Sequence, residues 1–190
     1  MSTITSLVST AIATFKDLAR DPRFRRNFVP IPATSALQVG QFAPKFTLTD
    51  VTQECEVRLA AFRDSKPVIV AFTRIFNENL YCPLCYPHIV ELRDRYTELT
   101  ATGAEVLLVT STDGRQSQQI AADLSLPMPL LSDSSNTVFR RYGTGQALGA
   151  PLPAQFVLDR EGCIRFKHLF SFLDPNAGVD RLLAALAAMQ

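Results

Sequence analysis

The residues of this chain best suited to chemistry stand together in "NLYCPLCYPH", residues 79–88, where Cys82 and Cys85 lie three positions apart and His88 follows three further on. Three chemistries fit such a set: a dithiol that cycles with a disulfide, a thiolate that attacks a peroxide, or part of a metal site. The stretch follows "KPVIVAFT", which reads as a buried strand, and precedes a helical pattern, so Cys82 falls where a strand hands over to a helix. Pro83 suits the first helical position, where its missing N–H costs nothing, and this makes Cys82 the expected N-cap. Unpaired N–H groups and the positive end of the helix dipole stabilise a thiolate there, lowering a cysteine pKa from about 8.5 to between about 3.5 and 7.5. Cys85 lies one turn along the same helix, near enough to close a small disulfide with Cys82.

A metal site needs more ligands than this stretch offers. Cys82, Cys85 and His88 give three, with Cys55 or Cys163 as a fourth, but no second closely spaced pair accompanies them, and the redox reading is preferred. His88 is otherwise expected to be a partly exposed helix residue with local hydrogen bonds. Cys163 alternates within a strand-like "GCIRFKH" and suits a small packed hydrophobe; Cys55 is equally ambiguous, and either could be a distant resolving thiol. Thr73 and Arg74 close the strand ahead of the cysteines and are candidates for shaping the site. Pro151 and Pro153 precede the strand "AQFVLD", and in a thioredoxin-like sheet Pro153 would lie near the cysteine helix, with both the cis and the trans peptide open on the sequence.

The elements that must position these residues follow from periodicity. "KFTLTD" and "CEVRLAAF" form a short hairpin. Ile89, Leu92, Tyr96 and Leu99 line one helix ended by Gly103, and "AEVLLVTST" is a second buried strand. Asp113 caps the helix "DGRQSQQIAADLS"; the strand "PLLSD" and a helix through "NTVFRRYG" come next. "AQFVLDREGCIRFKHLF" is a hairpin turning at Arg160-Glu161-Gly162, and a helix bearing Val179, Leu182, Leu183 and Leu186 closes the chain. Alternating strands and helices call for a largely parallel sheet covered on both faces, with the late hairpin as an antiparallel edge.

Composition sets the outer bounds. With 190 residues the chain can bury a real core, and 19 Lys plus Arg against 18 Asp plus Glu give no positive field for nucleic acid. Four unevenly spaced cysteines are too few for a secreted disulfide framework, so a reducing, cytoplasmic compartment is expected. Ile4, Leu7, Val8, Ala11, Ile12, Phe15, Leu18 and Ala19 recur at helical spacing with no Lys or Arg ahead of them, which reads as an amphipathic helix rather than a signal peptide. No apolar run approaches the roughly 20 residues of a membrane span. "RDPRFRRNFVPIPATSALQVGQ", with four arginines in seven residues and then closely spaced prolines, reads as a linker without regular pairing. No glycine-rich phosphate loop calls for an organic cofactor.

Over residues 39–170 the sequence resembles the alkyl hydroperoxide reductase and thiol-specific antioxidant family, the peroxiredoxins of the thioredoxin-like superfamily. "VGQFAPKFTLTD" is similar to their opening strand, "KPVIVAFT" to the strand before the reactive cysteine, "YCP" to the peroxidatic Cys-Pro, "LLSDSSNTVFRRYG" to their Asp-to-Tyr-Gly segment and "FVLDREGCI" to their late hairpin. The resemblance implies an α/β thioredoxin-like fold over residues 39–190, a central mixed sheet flanked by helices, with residues 1–38 as an N-terminal helical extension. It also implies a thiol oxidoreductase in which Cys82 attacks and Cys85 resolves. Peroxides, protein disulfides or both would be the oxidant, and an external dithiol of the thioredoxin-like or glutathione type the reductant. Association as a homodimer is also expected.

The family's peroxide motif is altered here. Its Pro seven residues and Thr three residues ahead of the attacking cysteine are replaced by Ile75 and Asn79, and no Arg occurs from Gln146 to Phe156. Arg74 is the candidate substitute, and weak peroxidase activity is expected, because peroxide cleavage needs donors aimed at the departing oxygen. Pro153, three residues before Phe156, stands where thioredoxin-like disulfide oxidoreductases carry their cis-proline, a residue that keeps metals out and holds an extended thiol substrate. Two readings of other classes stay open on the sequence: a non-catalytic redox sensor or binding module, and a zinc or iron–sulfur protein.

Overall fold

The structure is a computed structural model and describes residues 20–189, so the amphipathic helix expected over the first nineteen residues lies outside the described residues. The described residues include, in order, α1 (Pro22–Arg26), the hairpin β1 (Thr47–Asp50) and β2 (Cys55–Arg58), and a 3-10 turn at Leu59–Phe62. β3 (Val68–Phe72) leads to a small separate ribbon, β4 (Ile75–Asn77) with β5 (Leu80–Tyr81), and then to α2 (Tyr86–Asp94) and α3 (Tyr96–Ala101). After β6 (Glu105–Thr110), α4 (Gly114–Asp123), β7 (Leu130–Ser132) and α5 (Thr137–Arg141) comes a second ribbon, β8 (Gln146–Ala147) with β9 (Ala150–Pro151). β10 (Ala154–Leu158), β11 (Ile164–Leu169) and α6 (Val179–Ala187) complete the order.

Seven strands form one sheet in the order β11-β10-β3-β6-β7-β1-β2. Only β3–β6 and β6–β7 are parallel, whereas β7–β1, β1–β2, β3–β10 and β10–β11 are antiparallel. The sheet is therefore mixed rather than largely parallel. Helical crossovers serve only the two central steps, while both flanks attach strands running the other way.

Each residue of β3 is buried, and its side chains alternate between two cores. Ile69 and Ala71 join Val106, Leu108 and Val157 under α2 and α6, through Ile89, Leu92, Val179 and Leu182. Val68, Val70 and Phe72 face the opposite core, where α5 contributes Val138 and Phe139. There Phe72 packs against Phe139 and Tyr142, with ring centroids 4.9 Å apart in both cases, and Tyr142 meets Phe156 at 5.0 Å. The Tyr142 hydroxyl donates to the Pro44 carbonyl at 2.9 Å, so the one polar atom of this cluster is satisfied.

Two expectations change in detail. The single helix read through Leu99 is broken at Arg95, whose backbone leaves the helical region (φ −106°, ψ 16°), although Ile89, Leu92 and Leu99 are buried as expected. The segment read as a linker is docked. Asp21 caps α1 by accepting from Arg23 N–H, Pro22 opens that helix, and Phe24 is buried. Ile31 then exchanges both backbone hydrogen bonds with Gln146, at 2.8 Å each. The prolines at 30 and 32 flank this one pairing residue rather than preventing it. Among the described residues, no helix is long and apolar enough to cross a membrane.

Candidate active site

β3 delivers Thr73 and Arg74 to one end of the sheet, with Thr73 N–H bonded to the Val109 carbonyl at 2.9 Å. The β4–β5 ribbon then carries the chain to Cys82, and its exposed tip is held to α4 by a 2.6 Å ion pair between Glu78 and Arg115. Helix α2 begins at Tyr86, so its N-cap is Cys85 and not Cys82 as the sequence suggests. Cys82, Pro83 and Leu84 form a preceding turn, in which the Cys82 carbonyl accepts from both Cys85 N–H and Tyr86 N–H at 2.9 Å. The second of these is an i to i−4 bond, which is why the sequence reads as helix from Pro83.

This turn still collects donors on the Cys82 sulfur. The thiol is held down to about 6, first by a hydrogen bond from Cys85, then by Leu84 N–H, the Arg74 charge and Cys85 N–H, against an opposing push from burial. Cys85 is pushed in the opposite direction by that same bond, by burial and by the Cys82 charge, with Arg74 N–H and the guanidinium only partly offsetting them. Cys85 is wholly buried, whereas Cys82 keeps 4% of its surface exposed. The pair is thus split into an ionisable sulfur that keeps slight access to solvent and a protonated one enclosed behind it.

Arg74 is the charged partner of this pair. The Ile75–Tyr81 pairing of the β4–β5 ribbon sets it beside Cys82, where its charge favours the thiolate; its Nη2 donates to the carbonyls of Ala147 and Leu148, and it lies 4.8 Å over the Phe76 ring. Burial lowers its pKa and the nearby thiols raise it; a guanidinium stays charged throughout. Its buried Nε has no partner, and neither has Oγ1 of the neighbouring, buried Thr73. Ile75 and Asn79 contribute no such donors: Ile75 is a core residue, and Asn79 is an exposed turn residue.

Other candidates fall elsewhere. Pro153 is buried and precedes Ala154, the register partner of Phe72, which sets it level with Thr73 at the same end of the sheet. Its peptide bond is trans, since no cis bond occurs among the described residues. His88 is buried, not partly exposed, and its Nε2 pairs with the Ala177 carbonyl at 2.9 Å. Burial drives its pKa down to about 4, so the ring is neutral near pH 7. Among the described residues no three His, Cys, Asp or Glu side chains converge as metal ligands, and Cys82, Cys85 and His88 are not brought together as the alternative metal reading requires.

Cys55 lies on β2, four strand spacings from β3, or about 19 Å at the usual spacing of paired strands. Cys163 lies beyond Leu158, which pairs with Val68 at the opposite end of β3 from the dithiol. Neither is placed as a resolving partner for Cys82.

Sequence reasoning missed the residues that fix the turn. Asn176 donates to the Leu84 carbonyl at 3.0 Å; Gln155, wholly buried in β10, donates to Asn176 Oδ1 at 3.0 Å and accepts from Ala177 N–H at 2.8 Å. The available signal was a glutamine inside the otherwise apolar strand "AQFVL", since a buried amide needs partners.

The geometry agrees with what the chain is similar to. The AhpC/TSA family matches residues 39–167. Peroxiredoxin Q, chloroplastic, of Suaeda salsa is 31% identical over 152 residues, covering 79% of this chain and 68% of that protein. The same-named protein of Sedum lineare is 29% identical over 153 residues, covering 80% of this chain and 78% of its own length. Among solved structures, peroxidoxin BcpB from Mycobacterium tuberculosis superposes with a TM-score of 0.69 at 23% identity, over 81% of this chain and 99% of that one. The reduced 2-Cys peroxiredoxin of Plasmodium vivax gives 0.68 at 20% identity, over 80% and 81%. These structural likenesses establish the thioredoxin-like fold, and with the family match they show that this chain belongs to the AhpC/TSA family.

Proposed function

We propose that the chain is a thiol-dependent peroxidase of the peroxiredoxin type in which Cys82 attacks and Cys85 resolves. The asymmetry of the dithiol carries this reading. One sulfur is held ionised near neutral pH by the charge of Arg74 and by Cys85, and the other is a fully buried thiol whose ionisation that same neighbour opposes. A redox sensor would also use a low-pKa thiol, so the choice between the two rests on the family match and the peroxiredoxin relatives, which favour catalysis.

The cycle follows from these positions. The Cys82 sulfur attacks the terminal peroxide oxygen; the S–O bond forms as O–O breaks, the sulfur gives up two electrons, and the departing alkoxide or hydroxide takes a proton and leaves as alcohol or water. Arg74 stabilises first the thiolate and then the negative charge on the departing oxygen, with Nε and Thr73 Oγ1 as buried donors still unpartnered. Cys85 then attacks the Cys82 sulfenic acid: S–S forms, S–O breaks, and the Cys85 proton leaves with the hydroxide as water. An external dithiol attacks the disulfide, passes through a mixed disulfide and departs oxidised, returning both thiols. A thioredoxin-like or glutathione-linked donor fits this last step. One guanidinium in place of the family's Pro and Thr supports peroxide turnover below the family's usual rate.

The cytoplasmic placement and homodimeric association belong to the same proposal. The first is supported by the sparse cysteine usage, the second by the tendency of such domains to associate. Fractionation and light scattering read them.

The central test is peroxide treatment of the reduced protein with thiol counting and mass mapping of the disulfide. One equivalent of peroxide should consume two thiols and give a Cys82–Cys85 bond that dithiothreitol reverses. Thiols that stay unreactive, or a bond elsewhere, overturn the assignment.

A further inference from the structure

The carbonyls that hold Arg74 belong to a turn that is itself held by the arm ahead of the family-matched region. Arg74 Nη2 donates to the carbonyls of Ala147 and Leu148, at the tip of the β8–β9 ribbon. Leu148 sits there in the left-handed region (φ 49°) with its side chain 57% exposed, a conformation that a non-glycine residue keeps only where its surroundings impose it. What imposes it is the arm. Leu148 N–H donates to the Phe28 carbonyl at 3.1 Å, and Gly149 N–H donates to the Asn27 carbonyl at 3.0 Å. Gln146 pairs with Ile31 through the backbone, and its side-chain amide donates to the carbonyls of Arg26 and Val29 at 3.0 and 3.1 Å.

Side-chain packing completes the clamp. The buried ring of Phe24 lies directly against Gly149, whose φ of +93° and missing Cβ leave room for it; a methyl group at that position would overlap the ring. Arg23 fastens the same helix to the body, donating to the Ser111 carbonyl at 2.9 Å and to Gln116 Oε1 at 2.8 Å.

We infer that the arm from Asp21 to Thr34 is a positioning element of the active site, clamping the Gln146–Gly149 turn so that its carbonyls hold the Arg74 guanidinium in place beside Cys82. The arm hydrogen-bonds to the Gln146–Gly149 turn, to Gly143, to Ser111 and to Gln116 and Asn136, and none of these bonds reaches either cysteine. It acts through Arg74, and Phe24 and Gln146 are its positioning residues. The family match begins at residue 39, so this support is built from sequence outside the matched region. The inference rests on the proposed role of Arg74 and adds to it a dependence on the arm.

The test uses the full chain with Phe24→Ala and, as a milder variant that removes only a partly exposed amide, Gln146→Ala. Two readouts are taken on reduced protein: the pH profile of Cys82 alkylation by iodoacetamide and the second-order rate with hydrogen peroxide. Circular dichroism confirms that each variant is folded. Both variants should shift the alkylation profile to higher pH and slow the peroxide reaction, the Phe24 variant by roughly tenfold or more, because small displacements of a positioned donor are felt steeply. Phe24→Leu should recover most of the loss. In an Arg74→Ala background the same substitutions should have no further effect on the profile.

Unchanged profiles in both folded variants, or equal shifts with and without Arg74, would overturn the inference. If the parent protein does not react with peroxide, the proposed function fails. The alkylation profile still decides the role of the arm.

Discussion

Asn176 donates its side-chain N–H to the carbonyl of Leu84, 3.0 Å away, on the short turn between the two cysteines. The loop ahead of α6 thereby fastens the turn that changes covalent state, and Gln155 ties Asn176 back to the central sheet. Substituting Gln155 with Leu leaves the Ala177 N–H and the Asn176 amide oxygen without their partner. Stability should fall by about 1–3 kcal/mol in urea titration, the usual effect of stranding a buried polar group. Asn176→Ala, which frees a more exposed site, should lower it less.

The ionisation of Cys82 sets a pH dependence with a defined sign. Its pKa is depressed to about 6, so the thiolate is present above that value and disappears below it. Alkylation and peroxide oxidation should both fall as the pH drops through about 6. A rate midpoint at the ordinary thiol value of about 8.5 would contradict the donor set described here.

Arg74 should be the largest single contributor to peroxide chemistry outside the dithiol. Arg74→Ala is expected to slow oxidation by about a hundredfold, in line with loss of one preorganised charge-stabilising donor, and to raise the alkylation midpoint. Arg74→Lys should recover part of the thiolate stabilisation but little of the rate, since an ammonium lacks the planar fork that reaches several acceptors at once. Stopped-flow kinetics of the two variants separates these effects.

The cysteine variants should differ in kind. Cys82→Ser should abolish turnover altogether. Cys85→Ser should react once with peroxide and stop at a Cys82 sulfenic acid, which dimedone labelling and intact mass would reveal. Continued turnover of Cys82→Ser with dithiothreitol would remove Cys82 from the mechanism.

His88 predicts how the fold responds to acid. Its folded-state pKa of about 4 lies below the ordinary 6.5, so between these values the unfolded chain binds a proton that the folded chain refuses. The stabilisation is complete above pH 6.5 and declines as the pH falls towards 4, by up to about 3 kcal/mol. Urea titrations across this window should show the decline. His88→Gln, which keeps a donor for the Ala177 carbonyl but cannot titrate, should flatten it.

The sequence displayed the frame of this site more clearly than its fittings. β3 was readable because five consecutive apolar residues are buried on both faces, and the β10–β11 hairpin because Gly162 marks its turn. Asp113 was recognisable as an N-cap because its carboxylate is local to the Gln116 N–H that it accepts from. The Cys82 cap was displaced by three residues, since a turn bonded through the Cys82 carbonyl leaves the same sequence signature as the first turn of a helix. Contacts of Arg74 with Ala147 and Leu148 bridge more than 70 positions and use main-chain carbonyls, which every residue carries. The docking of residues 21–34 was equally hidden, because prolines and arginines mask a surface defined by glycines far along the chain.

β3 is paired along its whole length on both sides, and its last residue, Phe72, is wedged among three aromatic rings, whereas Cys82 hangs from a ribbon that belongs to no larger sheet. The two halves of the site therefore sit on different foundations, one in the central sheet and one in a separate two-stranded ribbon. Arg74 is mounted directly after the rigid strand and offers a fixed point of positive charge. The sulfur arrives on a separate ribbon and turn pinned by Glu78 and Asn176, so the reach of the thiol can be altered by changes between Ile75 and Tyr86 while the cation stays where it is.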